Sequence, residues 1–259
     1  GLFLCLFLAG HLAGNLQLLV PNNALNFNQY ALFMTSNPAV KLLSYLTYIS
    51  IIFHAIDGIY LAIQNKKARP MAYAMSNPSK NSSFSSRNMA VLGTIILVFI
   101  VTHMVNFWAV MHFDKNIPLM TKIIEVQGNK QVFYVGTQAG QFFPIEQVAK
   151  ETEKTEPGTM PKQFVIKNRT ELYYNQDDVK VADLYKDLHK LTIDFFKHPK
   201  TGLIATILYV LAMFTLAFHL LHGFQSAFQS LGLNNPKYTP AIKKAGAAFA
   251  IIVPLLFAI

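Results

Sequence analysis

The sequence is poor in two things that most soluble chains have, charge and cysteine. Charged residues make up only 14% of 259, where an ordinary soluble domain carries about 25%. Cys5 is the only cysteine and lies in an apolar run, so the chain offers no disulfide framework and no thiolate metal site. Any metal would have to be held by histidine. Acid is almost absent outside one segment: twelve of the thirteen acidic residues fall between Asp114 and Asp194, and Asp57 is the exception. The net charge of +9 comes without the basic and aromatic interleaving along one face that nucleic acid requires, which excludes that class of partner. A secretory signal would need a basic start and a small-residue cleavage site, and neither is seen. Both ends, Gly1 and Ile259, sit in apolar runs and read as trimmed.

What remains is 53% hydrophobic and organised in long runs. A bilayer core takes roughly 20 apolar residues per helix, and residues 1–20, 41–64, 89–113, 202–231 and 241–259 meet or nearly meet that length. The expected fold is therefore an all-α membrane protein, a five-transmembrane-helix bundle. Its parts are 1–113 with helices one to three, 114–200 as a water-exposed insertion of small α/β content, and 201–259 with helices four and five. Residues 65–88 hold five basic residues and no acid, and Lys237, Lys243 and Lys244 surround the last connection. The positive-inside rule makes these ends cytoplasmic. The N-terminus is then cytoplasmic and the insertion lies on the outer, periplasmic side.

Within the insertion, thirteen basic and twelve acidic residues nearly cancel. Residues 123–135 read as a hairpin turning at Gly128-Asn129, and Leu184, Leu188, Leu191 and Phe195 recur at helical spacing. Residues 150–162 read as a charged linker.

Ionisable residues inside a membrane are costly and are candidates for function. Of eight histidines, five fall in the predicted spans: His11, His54, His103, His219 and His222. A lone membrane histidine is an ordinary interhelical hydrogen-bonding residue; four helices each bringing one form a pattern. At about 1.5 Å per residue, His11 lies roughly 13 Å before the outward exit at Val20 and His103 roughly 15 Å before that at Phe113. His54 lies roughly 15 Å before the inward exit at Gln64 and His219 roughly 18 Å before that at Leu231. The lysine-derived topology thus sorts His11 with His103 and His54 with His219, one pair near each side, as two stacked bis-imidazole hemes need. His219 and His222 are three apart on one face, so spacing does not choose between them. Gly10, Gly14, Gly58 and Gly223 suit either a porphyrin lying close to the backbone or plain small-residue packing. Asp57 shares a face with His54 and is open to three roles, orienting a histidine, serving a quinone or moving a proton, or else to plain hydrogen bonding in the bundle. Trp108 and Tyr30 are open to a quinone-lining role or to an interfacial belt.

Taken in order, Gly10-His11-Leu12-Ala13-Gly14-Asn15, Phe53-His54-Ala55-Ile56-Asp57-Gly58-Ile59-Tyr60, His103, and Phe218-His219-Leu220-Leu221-His222-Gly223 with Phe224 to Gly232 resemble a known family. It is the diheme cytochrome b membrane anchor of succinate dehydrogenases and fumarate reductases, the succinate:quinone oxidoreductases. The resemblance implies two heme b groups, the outer held by His11 and His103 and the inner by His54 and His219. It also implies an FAD flavoprotein and an iron–sulfur subunit on the cytoplasmic face, and menaquinone or a related quinone as electron partner in a bacterial inner membrane. The chain would relay electrons between the iron–sulfur subunit and quinone and would carry no dicarboxylate chemistry itself. It departs from the family where some members have a carboxylate after helix one, since the loop here offers Asn22, Asn23, Asn26, Asn28 and Gln29. It also departs where others have a glutamate two residues before the fourth-helix ligand, since that position is Ala217. Two alternatives stand beside this reading. One is the cytochrome b subunit of a hydrogenase or formate dehydrogenase; the other is a non-redox anchor or transporter, which would show repeats or broken helices.

Overall fold

The computed structural model describes residues 1–68, 71, 77–150 and 161–259. The expected basic run at Arg69-Pro70 and most of the linker 150–162 lie outside the described residues. Among the described residues, five helices are long and apolar enough to cross a membrane: Leu2–Leu19, Pro38–Lys67, Met89–Phe113, Gly202–Ser230 and Thr239–Phe257. The bundle and the insertion between the third and fourth spans are as the sequence predicts.

In detail, α1 (Leu2–Asn15) tightens into a 3-10 turn at Leu16–Leu19, and α2 (Ala24–Ser36) leads to α3 (Pro38–Lys67). The short helices α4 (Pro78–Asn81) and α5 (Phe84–Arg87) precede the third span, which is α6 (Met89–His103), a π-helical stretch at Met104–Ala109, and α7 (Val110–Phe113). After the insertion come α8 (Leu188–Lys197), α9 (Gly202–Ser230) and α10 (Thr239–Phe257). Asn37 starts α3 by accepting from the amides of Ala39 and Val40 at 2.9 and 3.3 Å, with Pro38 in the first turn, the arrangement a helix start favours. Lys66 and Lys67 end it, where cations complement the helix dipole. Hydroxyls inside the spans bond back to their own helices: Thr47 to Leu43, Thr94 to Ala90 and Thr215 to Leu211. This satisfies them where no water is present. Large apolar side chains such as Leu42, Ile52, Leu203, Leu208 and Phe214 are more than half exposed, the surface a lipid solvent selects and water does not. Close packing is concentrated between α9 and α10. A Cβ on Gly246 would stand 2.7 Å from the Phe224 ring, and Ala250 is wholly buried.

The chain forms two compact units. One comprises Gly1–Leu19, Asn37–Met104 and His198–Ile259; the other comprises Val20–Ser36 and Val105–Lys197. The second unit contains a three-stranded antiparallel sheet, β1 (Thr121–Val126), β2 (Asn129–Val135) and β3 (Phe142–Pro144), and a four-stranded sheet, β4 (Val148–Lys150), β5 (Phe164–Lys167), β6 (Glu171–Tyr174) and β7 (Lys180–Asp183). Within the second sheet β4 runs parallel to β5 and the other pairs are antiparallel. The hairpin pairs Val126 with Asn129, so its turn is Gln127-Gly128, both at positive φ, one residue earlier than expected. That two-residue turn matches the twist of the strands it joins. Leu184, expected on the helix, instead bridges to Gly136 and is 2% exposed in a core with Val148, Phe164, Ile166, Leu172 and Ala182. The helix begins later because Asp187 caps it, its carboxylate accepting from the Lys190 amide at 2.9 Å.

Asn28 ties this unit together. It is 1% exposed, donates to the Asp187 carboxylate at 2.9 Å and accepts from the His189 amide at 3.1 Å. The segment between the first two spans is thereby latched to the start of α8. At the end of the third span, Lys186 donates to the Met111 carbonyl at 3.0 Å and Arg169 to the same oxygen at 3.3 Å. Two cations thus satisfy a helix C-terminus, and burial, then Arg169, pushes the Lys186 ammonium below its usual range.

Replacing Asn28 with leucine removes both bonds and leaves the Asp187 carboxylate short of a buried donor, a loss of about 1–3 kcal/mol. Hydrogen exchange should show faster exchange at the amides of residues 189–191, with the spans unaffected. A pH effect follows from Glu171, whose carboxyl is held below the usual carboxylate range by hydrogen bonds from Asn168, then Lys180. Its contribution is present above the unfolded glutamate value near about 4.3 and is lost as pH falls through the depressed folded value. Glu171→Gln should therefore flatten the acid limb of exchange protection at β6 and β7.

Candidate functional site

Four spans bring histidines into the first unit: His11 on α1, His54 on α3, His103 at the end of α6, and His219 with His222 on α9. Four of them meet in two pairs. The ring centroids of His11 and His103 are 5.9 Å apart with planes at 79°, and those of His54 and His219 are 6.0 Å apart at 88°. His222, the alternative on α9, bonds instead with Ser226 Oγ at 3.2 Å through its Nε2. Of the two α9 histidines, His219 is the one whose ring meets His54.

The pair distances can be tested against a shared metal. A metal–imidazole bond is about 2 Å, so two rings gripping one ion from opposite sides place their centroids roughly 6 Å apart. Both pairs meet that value. Edge-to-face rings fall in the same range, so further features of the site bear on the comparison. His219 Nδ1 is buried with no hydrogen-bond partner among the described residues, an expensive state inside hydrocarbon. Beside His54, a Cβ on Gly58 would meet nothing within 4 Å, and His54 is itself exposed on that flank of α3. A Cβ on Gly10, next to His11, likewise meets open space. Each pair thus meets edge to face at a separation that a shared metal would also give, with open space beside Gly10 and Gly58. Among the described residues no group of three or more His, Cys, Asp or Glu is placed to hold a metal ion; a bis-imidazole site uses two.

The two pairs sit in different surroundings. Phe7 stacks on His11 at 5.4 Å and Phe257 lies 5.6 Å from it. Phe99 stacks on His103 at 5.8 Å, and Tyr209 stands 6.1 Å from His103. Asn15 occupies the other side of the His11 ring, 3.4 Å from Nδ1, and donates to the His11 carbonyl at 2.8 Å. The second pair is lined by small and flexible groups. A Cβ on Gly93 would touch His219 Cε1 at 3.6 Å, and one on Gly223 would meet Met89 Cε at 3.5 Å. Gly93, Met89, Tyr209, Phe99, Phe7 and Phe257 are not singled out by sequence reasoning. Gly93 did carry a signal, being the single glycine in a bulky, β-branched span, where glycine weakens a helix unless something packs against it.

The remaining histidines stay apart from these pairs. His112 Nδ1 bonds the Trp108 carbonyl at 2.8 Å and its ring lies 4.4 Å from that indole. His189 packs on Phe27 at 5.8 Å, and His198 contacts Thr201 Oγ1 at 2.9 Å. Asp57 lies on the exposed surface of α3. Of the loop asparagines, Asn28 is committed to the latch, and Tyr30 is partly buried on α2.

No family model, no curated protein and no solved structure matches the chain.

Gly93 is the most direct probe of the second pair. Gly93→Ala puts a methyl at ordinary contact distance and should leave thermal stability in detergent within about 1 kcal/mol, whereas Gly93→Leu drives carbons into the His219 ring and should cost about 1–3 kcal/mol. Equal behaviour of the two variants would show that the ring is not held against this helix.

Proposed function

We propose that this membrane-embedded chain is the diheme cytochrome b anchor of a succinate:quinone oxidoreductase, either a succinate dehydrogenase or a fumarate reductase. The observation that carries the reading is the meeting of four imidazoles from four spans in two separate pairs, each at a separation that two ligands of one metal could take. His11 and His103 would hold the outer heme iron, and His54 and His219 the inner. Heme bound through two neutral imidazoles has both axial positions filled, which favours electron transfer over oxygen chemistry.

The chain's own residues supply position and environment. α1 and α6, the first and third spans, bring His11 and His103 together while running in the same direction, and α3 and α9, the second and fourth, do the same for His54 and His219. Phe7, Phe99, Tyr209 and Phe257 wall the first pair and exclude water from it. Gly93 and Gly223 let α6 and α9 approach the second pair closely. His222 with Ser226 offers a polar contact one turn nearer the basic end of α9, suited to a carboxylate substituent. Catalysis on succinate or fumarate belongs in this reading to an FAD flavoprotein, connected through an iron–sulfur subunit. Both would dock on the basic face formed by Lys66, Lys67, Lys80, Arg87, Lys237, Lys243 and Lys244. That face is cytoplasmic by the positive-inside rule, which places the insertion outside a bacterial inner membrane. Menaquinone or a related quinone is the membrane partner.

Purified protein should show a reduced-minus-oxidised spectrum of b type with two hemes per chain. His11→Ala and His54→Ala should each lose one heme, and redox titration should show that they lose different ones. A heme-free wild-type protein would end the reading. Loss of the same heme from both variants would overturn the pairing. Co-purification of a flavoprotein and an iron–sulfur protein, with succinate-driven quinone reduction, separates this complex from a hydrogenase or formate dehydrogenase.

A further inference from the structure

The segment between the first two spans is a helix with two different faces. The inward face of α2 is engaged by the second unit. Asn28 is bonded to Asp187 and His189, Phe27 packs on His189, and Ala24 packs against Met120, Val135 and Tyr185. The other face carries Leu25, Leu32 and Phe33, which are 38%, 39% and 52% exposed, with Gln29 exposed among them. At 100° per residue these three lie within one stripe. Residues 21–40 contain no charged side chain, although a helix face bathed in water ordinarily carries several.

Connectivity fixes where this face must be. The first span ends at Leu19 and the second begins at Pro38. Residues 20–23 join the first to α2 and Asn37 alone joins α2 to the second. Four extended residues reach about 13 Å, whereas α2 itself is about 20 Å long. With both ends tied this closely to spans, α2 has little slack to leave the membrane surface. We infer that α2 is an interfacial helix whose Leu25, Leu32 and Phe33 insert into the boundary between lipid headgroups and acyl chains. Interfacial helices usually keep a basic face toward water. Here that face is replaced by the protein of the second unit, which explains how an uncharged helix can lie there. The occupant is lipid, as opposed to another protein, because α2 is uncharged along its whole length and is tied by four residues and by one residue to two membrane spans. This placement is independent of whether the histidine pairs hold heme.

The test uses the full chain with Cys5→Ser, carrying one spin label at a time through Leu25→Cys, Leu32→Cys, Phe33→Cys or, on the projecting hairpin, Lys130→Cys. Each is reconstituted in phosphatidylcholine vesicles and its collisions with oxygen and with a water-soluble nickel chelate are measured. The three α2 positions should favour oxygen over nickel by several-fold relative to Lys130. Nickel-dominated collisions at α2 would place the face in water, and exclusion of both agents would mean that protein covers it; either outcome overturns the inference. As a check that does not depend on labelling, Trp108→Phe combined with Phe33→Trp should give fluorescence quenched several-fold by brominated phosphatidylcholine. Unquenched emission would overturn the inference equally.

Discussion

Inside hydrocarbon a polar group has only the protein to bond with, and this constraint accounts for most of the architecture. Backbone amides are consumed by five long helices, and hydroxyls turn back on their own carbonyls. The third span meets the water side with its last carbonyls held by Lys186 and Arg169. Against that background the imidazoles of His11, His54, His103 and His219 are conspicuous. Besides their neighbours on their own helices, they meet one another across helices.

The parts of the fold that depend on composition were legible from the amino-acid sequence. Span limits follow from apolar length and from Pro, Asn and Lys at the exits, and the third is the same in both readings. Depth in a membrane is one-dimensional, so counting residues to an exit ranks side chains by height without knowledge of azimuth; the rings set level by that count, His11 with His103 and His54 with His219, are in contact. Azimuth is what counting lacks. The choice of His219 over His222 depends on which way α9 faces α3, and the contact of Gly93 with His219 depends on the rotation of α6. Neither has a signature in spacing alone.

Inside the insertion the same limit shows in another form. Leu184 fits a helical period with Leu188 and Leu191, yet sheet pairing with Gly136 claims it and Asp187 starts the helix after it. Asn28 looks like a loop asparagine, one of several. Its partner Asp187 is 159 residues away, a separation no local pattern reports. Such latches between distant segments are set by tertiary packing and become visible only with coordinates.

The π-helical stretch after His103 has a consequence for how the third span can vary. A π turn takes up an extra residue without lengthening the hydrogen-bonded column in proportion, so the side chains beyond it are turned about the axis relative to an uninterrupted α-helix. The boundary between the two compact units falls inside this stretch, between Met104 and Val105. His103 meets His11 within one unit, while Phe107 packs on Phe195 and Phe196 within the other.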